Sequence, residues 1–294
     1  MLEFKPLTLE DNTFLEKYLK PYTFKTCEYS FTNLFIWRKG CDIKYTTYKD
    51  VLIILKMDFY KNYHFMQPIG YTKENLKEIV DILIKYKEEN HLLYLFKDLE
   101  ASFVEDLNEI YPGIFEINED VDNFDYIYES SKLITLSGKK LHGKKNHYNN
   151  FIKNNEYRTA TINCDNICEC IAAAREWVYK NDSTGYLIYE LDAIEELLKN
   201  KCNLHFDGIA VYVDNKISAF TIGEKINDDM AIIHIEKAAS EINGLYAFIN
   251  KTFIETYYSD VPFINREQDL GLAGLRHAKK SYQPIRLEPK YFIK

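Results

Sequence analysis

The stretch Met230-Ala231-Ile232-Ile233-His234-Ile235-Glu236-Lys237-Ala238 decides the fold. Its β-branched run reads as a central strand, and the apolar period then changes from two to between three and four. From Gly244 to Tyr257, Leu245, Phe248, Ile249, Thr252 and Phe253 recur along one stripe, which predicts a helix with a buried face. A short strand follows at Val261 to Ile264. The polar run Asn265-Arg266-Glu267-Gln268-Asp269-Leu270-Gly271 then leads into a helix from about Leu272 to Ser281, and a final strand spans Ile285 to Ile293.

Working outward, Tyr157 to Asn163 alternates as a strand, and Ile167 to Tyr179 and Leu191 to Lys199 carry helical periodicity. Asp214-Asn215 makes a turn between strands at Gly208 to Val213 and Lys216 to Ile222. The second half therefore runs strand, two helices, three antiparallel strands, helix, strand, helix, strand. That order resembles the acyltransferase fold of the GNAT superfamily, in which the fourth strand and its following helix splay from the fifth strand to open a cleft. Here the cleft is expected between Met230–Ala238 and Val261–Ile264.

The first half is mixed α and β. Asp42 to Tyr48 and Val51 to Met57 read as a hairpin turning at Lys49-Asp50, followed by a helix from Lys73 to Asn90 with Leu76, Ile79, Val80, Leu83 and Ile84 inward. Leu92 to Phe96 reads as a buried strand, and Asp98 to Tyr111 as a helix closed by Pro112-Gly113. The expected class is α+β, with an N-terminal domain over 1–130 and a C-terminal domain over 131–294 that holds the cleft.

A chain of 294 residues, 46% apolar, buries a large core and is not disordered. Met1 to Pro6 lacks the pattern of a signal peptide, and no apolar run approaches the roughly 20 residues of a bilayer span, so a cytoplasmic protein without integral membrane association is expected. Six unevenly spaced cysteines fit free thiols in a reducing compartment. Cys164, Cys168 and Cys170 crowd together, but the second ligand pair of a zinc site is missing, so no metal is expected. The formal charge of −8 excludes a surface that binds nucleic acid all over. A local basic patch remains possible, because screening confines exposed charges to about 8 Å at physiological salt.

Three segments carry candidate chemistry. Simple alternation along the central strand puts His234 and Glu236 on one face. A carboxylate in a central strand must meet a cation or face a cleft, so Glu236 is a candidate base, paired otherwise with Arg266 or Lys237. His234 reads as a core histidine or a substrate contact. In the loop after the last short strand, Asn265 and Arg266 are candidate catalytic groups, since the arginine fork matches a carboxylate or phosphate. Glu267 and Asp269 are candidate binding residues, although Asp269 also suits a helix cap. The third segment, Leu136 to Phe151, concentrates Lys139, Lys140, Lys144 and His147 for contact with phosphates; Leu141, Tyr148, Phe151 and Ile152 form its apolar stripe.

Two absences narrow the chemistry. Ser240-Glu241-Ile242-Asn243-Gly244-Leu245 lacks the glycine-rich turn with which acetyl-coenzyme A users hold pyrophosphate. Gly-x-Ser-x-Gly, Walker and His-Glu-x-x-His signatures are also missing.

Leu136-Ser137-Gly138-Lys139-Lys140 with Asn146-His147, then His234 to Ala238, then Asn265 to Gly271 and Leu275-Arg276 with Lys279, Lys280, Ser281, Tyr282 and Pro284, resemble a bacterial family. That family is similar to the C-terminal catalytic domain of phosphatidylglycerol lysyltransferase, and the resemblance covers nearly the whole chain. It implies two tandem GNAT-like domains with mixed, largely antiparallel sheets, as in the Fem-type aminoacyltransferases that build peptidoglycan cross-bridges. Those relatives take an aminoacyl group from charged transfer RNA. No stretch of the sequence reads as the membrane-spanning portion of the lipid-modifying enzymes, and Lys145 stands where the basic motif would carry arginine.

The expected function is transfer of an aminoacyl or acyl group to an amine or hydroxyl, with the acceptor open and a phosphate-bearing donor, aminoacyl-tRNA or a coenzyme A thioester. Glu236 would act as base or orienter, Arg266 and Asn265 would hold the acceptor or the oxyanion, and the lysines would draw in the donor. The alternatives are a coenzyme A-dependent N-acyltransferase and a non-catalytic ligand-binding module on the same fold. The last would keep Glu236 fully paired to Arg266.

Overall fold

A computed structural model describes residues 2–180 and 186–294, with side chains omitted at 186–188. The chain divides into two compact units, Met1–Phe124 with Glu288–Lys294, and Asp125–Leu287. Each has a mixed seven-stranded sheet flanked by helices, the α+β class expected of the chain.

In the first unit the elements are β1 (Lys5–Pro6), α1 (Asn12–Leu19), α2 (Phe31–Trp37), β2 (Lys44–Tyr48), β3 (Val51–Met57), β4 (Tyr63–Phe65), α3 (Lys73–Glu89), β5 (Phe96–Leu99), α4 (Ala101–Ile110) and β6 (Ile117–Glu119). The β2–β3 hairpin turns through Lys49 and Asp50, both at positive φ, the geometry that matches strand twist. α3 begins at Thr72, whose amide donates to Asn75 Oδ1 at 2.8 Å, and buries Leu76, Ile79, Val80 and Leu83. The strand expected at Leu92–Phe96 lies later, at β5. His91 takes a left-handed φ of 54° as the chain leaves α3, Leu93 is left 52% exposed, and pairing starts only at Phe96.

The second unit contains β7 (Asp125–Glu129), α5 (Ser130–Thr135), α6 (His142–Asn154), β8 (Tyr157–Thr161), α7 (Ile167–Lys180), α8 (Tyr186–Lys199), β9 (Asp207–Val213), β10 (Lys216–Lys225), β11 (Met230–Ala238), α9 (Leu245–Tyr257), β12 (Phe263–Asn265), α10 (Ala273–Lys280) and β13 (Arg286–Glu288). Its strand order is β13-β7-β12-β11-β10-β9-β8. The division between units falls between Phe124 and Asp125, ahead of the 130/131 boundary, because β7 pairs with β12 from Ile127 to Glu129. The single final strand expected over Ile285–Ile293 is two. Pro289, which has no amide to give a ladder, separates β13 from β14 (Tyr291–Ile293), and β14 lies between β5 and β6 in the first unit's sheet.

α9 packs on one face of the second sheet through Leu245, Phe248, Ile249, Phe253 and Ile254, which join Ile209, Val211, Ala219, Ile233 and Ala238 in one core. β11 and β12 run parallel and pair only at Met230↔Phe263, Ala231↔Ile264 and Ile232↔Asn265. The ladder ends at Ile232 because β12 itself ends at Asn265, while β11 continues to Ala238.

Candidate functional site

Alternation along β11 does not run through His234. Against β10, Ile222 pairs with Ile235 and Gly223 with Ile233, so His234 is the extra residue of a β-bulge. The expectation that His234 and Glu236 share a face fails for this reason. Ile233 joins the core under α9, and past the bulge it is Glu236 that reaches α9.

Glu236 is 10% exposed and accepts on both oxygens, from Arg266 Nη2 at 2.8 Å on one and from Asn250 Nδ2 at 2.7 Å on the other. Its carboxylate thus anchors Arg266. The guanidinium lies 4.7 Å from the centroid of Tyr282 and 5.6 Å from that of Tyr128, and its Nη1 is buried with no hydrogen-bond partner. Asn250, fully buried on α9, likewise has Oδ1 without a partner. A buried guanidinium donor without an acceptor costs free energy unless something else supplies one. Lys144 lies over the same Tyr282 ring, at 4.3 Å. Burial, and then the Arg266 charge, lower its pKa, while Glu236 opposes the shift. Burial raises both tyrosine hydroxyls well above their ordinary value, which keeps them protonated donors.

The other candidates brace this center. His234 is buried between Glu267, 2.9 Å from Nδ1, and Glu224, 3.0 Å from Nε2. Burial alone would lower its pKa, but the two carboxylates outweigh that and raise it to about 10, so the ring is an imidazolium. Asn265 is fully buried and spans the β7–β12 edge, donating to Asp125 Oδ2 at 2.8 Å and accepting from the Glu267 amide at 2.7 Å. It supports the loop from within. Asp269 accepts from Arg276 Nε and Nη2, both at 2.8 Å, from the Tyr126 hydroxyl at 2.5 Å and from the Gly271 amide at 2.9 Å. Burial pushes its pKa up, but these donors prevail and hold it below the usual carboxylate range. The expected helix cap is therefore a bidentate clasp on α10. Glu267 and Leu270 both sit at positive φ, and Lys279 steadies the run by donating to the carbonyls of Arg266, Glu267 and Gln268 at 2.5, 3.1 and 2.5 Å.

Of the basic segment, only Lys144 joins Arg266. Lys139 and Lys140 are exposed in the turn before α6, without an ion pair among the described residues. His147 bonds Asn243 Oδ1 at 3.0 Å. Its backbone also abuts Gly244 at the head of α9: a Cβ there would lie 2.0 Å from the His147 carbonyl oxygen, and φ is +86°. Gly244→Ala should destabilise the chain by about 2–3 kcal/mol, from left-handed strain plus the clash, read as a lower urea midpoint.

Asn250 gave no sequence signal, lying off the predicted stripe of α9. A cavity of about 180 Å³ was also not foreseen. It lies on the α7 side of β10 and β11, lined by Trp177, Phe220, Lys237, Ala239, Ser240 and Ile242. Lys237 crosses Trp177 at 3.9 Å and holds both oxygens of Glu190 at 2.8 Å. The volume is below the roughly 300–1,000 Å³ of pockets for drug-sized ligands.

Among the described residues no helix is long and apolar enough to cross a membrane. A conserved protein of unknown function from Bacteroides thetaiotaomicron has a solved structure that superposes with a TM-score of 0.91 and 34% identity, covering 100% of this chain and 99% of that one. L-PGS from Bacillus licheniformis gives 0.66 at 14% identity, over 96% and 91%. FemX gives 0.59 at 7% identity, over 99% and 97%, a likeness of fold. In sequence, an uncharacterized protein of Mycoplasmoides gallisepticum is 26% identical over 212 residues, which span 67% of this chain and 66% of that protein. Residues 19–294 match the family described as phosphatidylglycerol lysyltransferase, C-terminal, and the chain belongs to that family.

Proposed function

We propose that the second unit is an aminoacyl-transfer site, taking the group from charged transfer RNA and passing it to a hydroxyl or amine. The observation that carries this is the convergence of Arg266 and Lys144 on Tyr282 just past the end of the β11–β12 ladder, with Arg266 Nη1 buried and lacking an acceptor. An ester carbonyl that gains negative charge during acyl transfer, or a terminal phosphate, would supply that acceptor. Glu236 and Asn250 fix the guanidinium in place, so Glu236 is a positioning residue here rather than the base. The half-buried Lys144, its pKa lowered, adds a second cation. The family name makes lysyl the first aminoacyl group to test and phosphatidylglycerol the first acceptor.

Transfer RNA is favored over a coenzyme A thioester because the head of α9, where a pyrophosphate would meet free amides, is occupied at Gly244 by the backbone of α6. Binding of charged transfer RNA, followed by fluorescence across a salt series, checks the donor assignment. Lys144→Ala should weaken binding and flatten the log–log salt slope by about 0.7–1. An unchanged slope and affinity would remove Lys144 from the donor site; stabilization by coenzyme A thioesters alone would replace the donor.

The binding-module reading keeps one observation in its favor, the full pairing of Glu236. Tight binding of charged transfer RNA with no discharge in the presence of any acceptor would select it.

A further inference from the structure

The cysteines that seemed to be ordinary free thiols include one pair in contact. Cys164 lies in the turn between β8 and α7, Cys202 in the turn between α8 and β9, and their Sγ atoms are 3.7 Å apart although the residues are 38 positions apart. Both are exposed, unlike Cys27, Cys41 and Cys170. We propose that Cys164 and Cys202 are a modification site, a dithiol that closes reversibly to an intramolecular disulfide on reaction with a small-molecule disulfide.

The geometry asks for little. The sulfurs must approach from 3.7 Å to about 2.05 Å, and both side chains sit in exposed turns that can supply that movement. The reaction is a two-step exchange. One protein thiolate attacks a sulfur of the small disulfide, forming a mixed disulfide and expelling one small thiolate. The second protein thiolate attacks the protein sulfur of that mixed bond, forming Cys164–Cys202 and expelling the other small thiolate. The protein loses two electrons and two protons, and one small disulfide becomes two small thiols. The contact with Cys202 raises the pKa of Cys164, so the exchange should accelerate as pH rises through 7 to 9.

The consequence is local and specific. The bond would join the start of α7 to the end of α8, the two helices that carry Trp177 and Glu190 onto Lys237. Closing so long a loop restricts the unfolded chain, and a rise in melting temperature of several degrees is expected.

Incubating the full chain with oxidized glutathione, quenching with acid and counting thiols after denaturation should give a fall from six to four. Peptide mapping without reductant should recover Cys164 linked to Cys202, and dithiothreitol should reverse both results. Cys164→Ser should abolish the linkage, and Cys168→Ser, at the other exposed cysteine, should leave it intact. Six thiols remaining, separate glutathione adducts on Cys164 and Cys202, a linkage through Cys168, or a disulfide-linked dimer would each overturn the assignment. Mapping the unsubstituted chain decides the matter even where a variant folds poorly.

Discussion

Replacing His234 with glutamine should cost about 5 kcal/mol at pH 6 and little at pH 10, so the variant and the parent converge as pH rises. The folded imidazole titrates at about 10 against an ordinary value of 6.5, and roughly 1.4 kcal/mol accompanies each unit. The sign follows from proton linkage. The folded state holds the proton more tightly than the unfolded chain, so the contribution is complete below 6.5 and is lost as pH climbs through 10. Carboxylate shifts such as that of Asp269 run the other way: their contribution is in place above the ordinary carboxylate range and is lost only as the solution is acidified. Urea unfolding of both proteins at pH 6, 8 and 10 would measure the difference. A gap that stays constant across the series would mean that the ring is not a buried cation between Glu224 and Glu267.

Arg266→Ala should destabilise the second unit by about 3–5 kcal/mol, the usual cost of leaving one member of a buried ion pair without its partner. Arg266 and Glu236 have side chains only 11% and 10% exposed, and Glu236 would keep a single donor, Asn250. Removing the stranded charge should recover much of that loss. Arg266→Met combined with Glu236→Gln is therefore expected to be more stable than Arg266→Ala alone, a non-additivity that a double-mutant cycle detects. Additive losses would contradict the pairing.

Periodic segments of the second unit could be read from sequence, and exchanged or bulged ones could not. α9 appeared at its place because it keeps one period over its length, and β11 and β12 because their apolar, β-branched runs mark strands whatever the register. β7, Asp-Tyr-Ile-Tyr-Glu from Asp125, is short and ends in acids, so nothing in it announced a strand buried within a sheet. The split of β13 from β14 was signaled only by Pro289. The bulge at His234 depends on pairing with β10, which periodicity within β11 cannot report. The site divides in the same way. The polar run Asn265–Asp269 marked the right loop, yet its roles were set by residues distant in sequence: Asn250 for Glu236, Asp125 for Asn265, Tyr126 and Arg276 for Asp269. Lys144 could be distinguished from Lys139 and Lys140 only by Tyr282, which lies on the far side of the domain in sequence.

The most direct test is discharge of lysyl-tRNA in a single turnover with phosphatidylglycerol vesicles, or an amine, as acceptor. The unsubstituted chain and Arg266→Lys, which keeps the charge but not the planar fork, should be compared at enzyme concentrations that saturate the transfer RNA. If Arg266 Nη1 receives the developing oxyanion, discharge should fall about 10²–10³-fold while transfer RNA affinity changes only a few-fold. Equal rates for the two proteins, or no discharge by the unsubstituted chain with any acceptor, would contradict the assignment of the Arg266 center as an aminoacyl-transfer site.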